Sequence, residues 1–481
     1  MVRALAIDVG TSSVRTALVD EHGTVGHARQ RALTIATPQP GEVELDAQEI
    51  ARVVLDLATQ TLLDGGGCDV VGVTNQRATT IVFDEVTGEP VGPAIGWQDL
   101  RTVIDCLVLQ GEGLRLAPNQ SATKLRWLVE RAGRPARGLR MATVETWVAH
   151  VLSEGRSFVS DHSNAAVTGL VGTDPRHWDP AVLSALGVGD VGLAQIVDTM
   201  ADHGRASALP GSPPITALVG DQPASLYGQC CVRRGAKITF GTGAMLDVVR
   251  GSDAPATMSR LASGCFPVVV ASRGGALTWG VEGIVLSAGA CVEWLGDLGV
   301  ISDPSECDGL AFSVERDGVT FVPALSGLGT PWWDFGARGG FFGLTRGTTR
   351  AHLVRAVLTG IAERGADLVD AARAETGLEL DEVRVDGGMS ASRFLLQDLA
   401  DATGSRVALS SEREATTRGA GLMALVSAGH LAEEDVEGLW RPAEVFAPAT
   451  SPAARTARRE EWRGAVARVE RTIPELSAVA F

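Results

Sequence analysis

Two short turns of glycine and hydroxyl residues, Gly10-Thr11-Ser12-Ser13 and Gly241-Thr242-Gly243, have the composition needed to hold phosphate. Such a turn points several backbone N–H groups and one or two O–H groups into a small concavity, which suits a phosphate chain bound without lysine. Either turn alone reads equally well as an ordinary hairpin connection; its recurrence in both halves of the chain favours the phosphate reading. Asp8 and Asp221 each stand beside glycine at the expected C-terminal end of a strand, where open α/β sheets form ligand crevices. Phosphoryl transfer needs one carboxylate to help hold Mg²⁺ and another to accept a proton from the attacking hydroxyl. Asp221 could instead cap the helix that follows it.

The elements that must position these groups follow from the hydrophobic pattern. Residues 2–8 and 14–19 read as strands of a hairpin, 46–63 as a helix with apolar residues at helical spacing, and 69–74 as a buried strand ending in Asn75, Gln76 and Arg77. Strand, helix, strand implies α/β architecture with a crossover. An apolar strand at 215–219 leads through Gly220, Asp221 and Gln222 into a helix reaching Tyr227, and a second strand–turn–strand covers 237–250. Further on, 383–385 leads into Asp386, Gly387 and Gly388, and 390–402 reads as a helix. The chain divides into two related α/β halves, 1–232 and 233–445, with a glycine- and proline-containing insert at 323–347 in the second. Residues 446–481 form a tail whose charged, amphipathic helix, 455–471, reads as a solvated capping element.

Composition narrows the chemistry. With 42 Lys+Arg against 58 Asp+Glu in 481 residues, the net charge is −16, which argues against a bulk electrostatic grip on nucleic acid or anionic membrane. Hydrophobic residues at 45% exclude a disordered chain, and 57 glycines point to many tight turns. The only lysines are Lys124 and Lys237, neither directly after glycine, so the lysine-bearing phosphate loop is absent. Seven cysteines without a C-x-x-C pair suggest neither a zinc site nor a disulfide framework. Without a signal-peptide pattern or a long uncharged apolar stretch, the chain reads as soluble and cytoplasmic. Homo-oligomerisation is left open.

In order and spacing, DVGTSSVR over 8–15, Asn75-Gln76-Arg77, WQDLR over 97–101, Gly220-Asp221-Gln222, Gly241-Thr242-Gly243 and Asp386-Gly387-Gly388 resemble the FGGY carbohydrate kinases. The stretches FVPA over 321–324, GLG over 327–329, PWWD over 331–334, ARG over 337–339 and FGLTRG over 342–347 resemble the glycerol kinases within that family. The resemblance spans nearly the whole chain. It implies two actin-like, ribonuclease H-like domains of duplicated topology, with ATP and a small polyol or sugar meeting in the cleft between them. Thr11, Ser12, Ser13 and Arg15 would then touch the nucleotide phosphates, with Gly241 and Thr242 on the other side; Gly289, Glu293, Gly387, Gly388 and Ser392 occupy further nucleotide positions. Asp221 would be the catalytic base, and Asp8 a Mg²⁺-linked carboxylate acting through water. Arg77, Trp97, Asp221 and Gln222 would face the acceptor.

Several positions depart from the glycerol kinase pattern. Ala78 stands where those kinases carry glutamate after the arginine, Asn119 where they carry tyrosine, and Met245 where they carry phenylalanine. Glu293 and Ser392 likewise replace glutamine and asparagine. Loss of a hydrogen-bonding partner from a buried pocket can shift selectivity by orders of magnitude. Asp99 could supply a replacement carboxylate, or equally form a structural salt bridge with Arg101. Trp332 and Trp333 read as structural wall or interdomain packing rather than ligand contacts. The resemblance implies an ATP-dependent phosphotransferase for a small polyol or sugar; a nucleotide-binding regulator without transfer, or an actin- or chaperone-like ATPase, are the rival classes.

Overall fold

A computed structural model describes residues 2–315 and 317–479; residues 1, 480 and 481, the extremities of the expected first and third segments, lie outside the described residues. The first half is built on a hairpin, β1 (Arg3–Val9) and β2 (Ser13–Asp20), extended by β3 (Val25–Ala32). Helix α1 (Ala47–Gly65) crosses over to β4 (Val70–Asn75), which lies parallel to β1. Asp46 caps α1 by accepting from the Gln48 N–H, and Gly66 in the left-handed region ends it. Its buried stripe of Ile50, Val53, Val54 and Leu57 packs on the sheet with Leu5, Ile7 and Val73. Helices α2 (Ser121–Arg131) and α3 (Val144–Leu152) follow, then β5 (Ile215–Gly220), parallel to β4, and α4 (Asp221–Gly228). The sheet order is β5-β4-β1-β2-β3.

The second half repeats this plan. A hairpin of β6 (Gly235–Phe240) and β7 (Ala244–Gly251) is followed by β8 (Phe266–Arg273), β9 (Ala276–Val285) and helix α5 (Gly289–Asp297). After the long helix α6 (Arg350–Thr376) come β10 (Glu382–Asp386), α7 (Arg393–Thr403), β11 (Arg406–Ser410), α8 (Ala415–Ser427) and β12 (Pro442–Phe446). The order is β8-β9-β7-β6-β10-β11-β12. In both halves an antiparallel triplet adjoins two parallel strands, with the phosphate-type turn at the tip of the central hairpin. The expected duplication is therefore present, with one helix boundary changed: 388–391 forms a single 3₁₀ turn, and α7 starts only after Ser392, which caps it through the Leu395 N–H.

The halves are joined through α4 and α8, which cross backbone to backbone. A Cβ on Gly228 would lie 1.8 Å from the Ala415 carbonyl oxygen, and one on Gly419 would lie 1.8 Å from that of Ala224. Only glycine permits this approach. Helix α8 also buries Ala420 and Ala424 against Ala4, Ala6 and Ala217 of the first sheet.

The tail forms the expected charged, amphipathic helix but is less solvated than expected. Helix α9 (Pro452–Val466) is charged but not simply solvated: Trp462 and Arg459 are buried, Arg459 reaching Glu363 Oε2 and Asp367 Oδ1 at 2.5 Å each. Arginine stems supply apolar contact while their heads pair with buried acids, so a charged helix can dock on a core. Trp332 and Trp333 are wall residues as expected, Trp332 beneath the Arg364 guanidinium and Trp333 donating its indole N–H to the Gly264 carbonyl at 2.6 Å. No helix among the described residues is long and apolar enough to cross a membrane.

Candidate active site

The β1–β2 register pairs Asp8 with Arg15, and the β1–β4 register pairs Asp8 with Thr74. Strand alternation therefore puts Asp8, Arg15, Thr74 and Gln76 on one face, toward α8. There Arg15 pairs with Glu414 just before α8, and the Thr417 hydroxyl donates to Asp8 Oδ2 at 3.4 Å. Burial pushes the Asp8 carboxyl up to about 7; Arg15 opposes this, while Asp221 and Glu414 add to it. The Thr74 hydroxyl and both ends of the Gln76 amide are buried beside it without a hydrogen-bonding partner. In the first turn Gly10 N–H closes on the Ser13 carbonyl at 2.9 Å, Ser12 is exposed, and the Ser13 hydroxyl accepts from Gln30 Nε2 at 2.9 Å. Thr11 accepts the indole N–H of Trp97 at 3.1 Å, so the expected acceptor wall and the first turn are tied together.

The second turn is exposed at Gly241 and Thr242, and α5 abuts it. The Gly289 N–H donates to the Gly241 carbonyl at 2.9 Å and the Ala288 N–H to that of Thr242 at 2.8 Å. Glu293, one turn on, is exposed, as are Gly387 and Gly388. The Ser392 hydroxyl is engaged with Asp308 as well as with the α7 cap.

Asp221 opens α4. Its Oδ1 accepts from Arg77 Nε at 3.1 Å and from the Gln222 N–H at 2.8 Å; the N-cap of α4 is Gly220, with no side-chain capping bond, so Asp221 does not cap the helix. Arg77 also reaches the second half, donating from one terminal nitrogen to Glu282 Oε2 at 2.5 Å. Glu282 on β9, Asp247 on β7 and Lys237 on β6 are direct cross-strand neighbours. Lys237 Nζ lies 3.0 Å from Asp247 Oδ2 and donates to Gln222 Oε1 at 2.6 Å. Burial pushes Asp247 up to about 6, with Lys237 opposing and Glu282 adding. Arg77, Asp221 and Gln222 are thus brought together as anticipated. Glu282, Asp247, Lys237 and Glu414 were not foreseen as part of the site. Their one signal in sequence is a charge set inside an apolar strand, or beside one.

Of the departures, Ala78 is buried at φ 62°, its carbonyl accepting from the Ser121 hydroxyl at 3.1 Å. Asn119 is exposed just before α2, with its carbonyl over the buried Lys124 at 3.3 Å, and Met245 is half-buried on the same face of β7 as Asp247. Asp99 resolves as the structural alternative. It is fully buried, its oxygens taken by Arg101 N and Nε at 2.9 Å each, Arg101 Nη2 at 2.8 Å and the Val43 N–H at 2.6 Å. It supplies no replacement carboxylate.

Among the described residues no group of three or more His, Cys, Asp or Glu side chains could enclose a metal. A single carboxylate flanked by unpartnered Thr74 and Gln76 instead fits an ion held mainly by phosphate and water, as Mg²⁺ usually is.

The duplicated α/β frame, whose halves meet around an arginine-held carboxylate, belongs to the class of two-domain carbohydrate kinases. The description of the FGGY family of carbohydrate kinases, N-terminal domain, matches residues 3–226, and that of its C-terminal domain matches 236–428; the chain belongs to this family. It is 38% identical to the glycerol kinase of Rhodopirellula baltica, over 98% of this chain and 91% of that protein. It is 38% identical to the glycerol kinase of Dechloromonas aromatica, over 96% and 97%. The crystal structure of Plasmodium falciparum glycerol kinase with ADP superposes with a TM-score of 0.91 at 28% identity, covering 98% of each chain. The chain is an ATP-dependent phosphotransferase acting on a polyol or sugar.

Proposed function

We propose that the enzyme phosphorylates a terminal hydroxyl of a small polyol or ketose, glycerol being the first to test, with Asp221 as general base. The observation that carries this reading is the Asp221 carboxylate, held by Arg77 at 3.1 Å with 32% of its side chain still accessible. The acceptor's hydroxyl proton passes to an Asp221 oxygen as the hydroxyl oxygen bonds to the γ-phosphorus. The bond from that phosphorus to the β–γ bridging oxygen breaks and ADP leaves. Thr11, Ser12, Ser13 and Arg15 hold the phosphates from one side and Gly241 and Thr242 from the other, while Gly289, Glu293, Gly387, Gly388 and Ser392 line the nucleoside end. Bound with the nucleotide, Mg²⁺ would neutralise phosphate charge; Asp8, Thr74 and Gln76 would hold its water shell.

Arg77, with Nε on Asp221 and one terminal nitrogen on Glu282, keeps its other terminal nitrogen for an acceptor oxygen. Trp97, its N–H on Thr11, offers its carbon face. Residues 1–232 carry the acceptor pocket, 233–445 the nucleotide, and 446–481 the tail. Ala78, Asn119 and Met245 give a roomier pocket with one acceptor fewer than glycerol kinases have. An ADP-release assay over glycerol, dihydroxyacetone and pentuloses tests the reading. Acceptor-dependent turnover supports it; ATP turnover indifferent to every acceptor, or none at all, contradicts it.

A further inference from the structure

Lys237, one of two lysines in the chain, is fully buried at the junction of the two halves. Its ammonium meets Gln222 Oε1 at 2.6 Å, Thr239 Oγ1 at 2.9 Å and Asp247 Oδ2 at 3.0 Å. Taking an ion pair out of water carries a desolvation cost, and apolar residues of similar volume often serve stability as well or better. A purely structural role accounts poorly for the pair. What Lys237 does that an apolar side chain cannot is dictate the orientation of an amide. An ammonium only donates, so the Gln222 carbonyl must face Lys237 and its NH₂ must face away. Gln222 lies next to Asp221 at the start of α4, whereas Lys237 comes from β6 of the other half.

We propose that Lys237 is a positioning residue for the acceptor site, locking the Gln222 carboxamide so that its N–H donors are presented to the acceptor, with Asp247 balancing the lysine charge. This rests on the reading that Gln222 faces a polyol or ketose. It deepens that reading in two ways. The second half sets part of the acceptor specificity of the first. And with Arg77 and Gln222 both donating and no carboxylate at position 78, the pocket recognises the non-reacting end of its substrate as a hydrogen-bond acceptor.

The test uses the full-length enzyme in four forms: wild type, Lys237→Met/Asp247→Leu, Gln222→Leu, and all three substitutions together. Removing the lysine and its acid as a pair avoids leaving a buried charge unpaired. The pair replacement should raise KM for glycerol, dihydroxyacetone or D-xylulose by roughly tenfold, the scale of one lost buried hydrogen bond. KM for ATP should hold. In the Gln222→Leu background the pair replacement should add nothing. An unchanged acceptor KM, or an equal increase in both backgrounds, would overturn the proposal. Should the pair replacement fail to fold, Gln222→Glu supplies a second readout: its carboxylate pairs with Lys237, so Tm should equal or exceed that of wild type, whereas Gln222→Leu should lower it. Equal losses of Tm would overturn the proposal. Because that comparison needs no turnover, it stands apart from failure of wild type to phosphorylate any of the three acceptors, which would contradict the proposed acceptor class instead.

Discussion

In the proposed acceptor pocket, position 78 is where a single side chain would add or remove a carboxylate. Ala78 sits in the left-handed region, φ 62°, where alanine and glutamate are similarly strained, so Ala78→Glu adds a carboxylate at little backbone cost. If the native acceptor is not glycerol, this substitution should raise kcat/KM for glycerol by about tenfold or more. Efficient use of glycerol by wild type, impaired by the substitution, would contradict the account of the pocket. Asp8, Arg77 and Asp221 were legible in the sequence because each ends an apolar strand beside glycine or a polar run. Glu282, Asp247 and Lys237 were not, since cross-strand neighbours are far apart in the chain and only the sheet register brings them together. Asp99 shows the converse: its proximity to the motif suggested the site, and its burial against Arg101 removed it.

The elements that carry the site rest on buried polar support with its own pH dependence. Glu145, at the start of α3, is fully buried and accepts from the hydroxyls of Thr143 at 2.5 Å and Ser160 at 2.7 Å; Asn75 at the end of β4 donates to it at 3.3 Å. Burial, with Asp161 adding, pushes its carboxyl up to about 7. In the unfolded chain it ionises near the ordinary value of about 4.3. Below that value it contributes no slope; between it and about 7 the unfolded state sheds the proton while the folded state keeps it, so stability falls as pH rises. The cost is on the order of 4 kcal/mol at most. Denaturant titrations of Glu145→Gln should lose that decline and show greater stability than wild type at pH 8; an unchanged slope would count against a protonated Glu145. A second element-scale prediction concerns the α4–α8 crossing. Gly228→Ala should force the helices apart, reducing kcat more than it changes ATP affinity and lowering Tm, whereas Gly464→Ala, on open surface, should do neither. Hairpins, crossover and helices could be read from periodicity. The crossing could not, because a glycine's close partner is invisible in a single sequence.

Across the whole molecule, a net charge of −16 opposes a polyanionic ligand. Binding must come from local donors in the cleft, and a divalent cation is the natural complement. The tail locks the second half rather than floating on it: Arg458 and Arg459 bring charge to Glu363, Asp367 and Asp398, all screened from solvent. Arg459→Met should leave Glu363 and Asp367 without one of their cations and cost about 3 kcal/mol or more of stability, read as a lower midpoint in urea, while acceptor KM below the transition stays the same. The solvated reading of this helix failed because alternating charge looks alike on a free surface and over a buried acid.

The central claim is that Asp221 removes the acceptor's proton within a site shared by both halves. The most direct measurement is the rate of acceptor-dependent ADP release by wild type and by Asp221→Asn, alongside calorimetric binding of ATP to each. The account predicts a fall in kcat of roughly 10²–10⁴-fold with nucleotide affinity retained. Turnover by Asp221→Asn within a few-fold of wild type would contradict it.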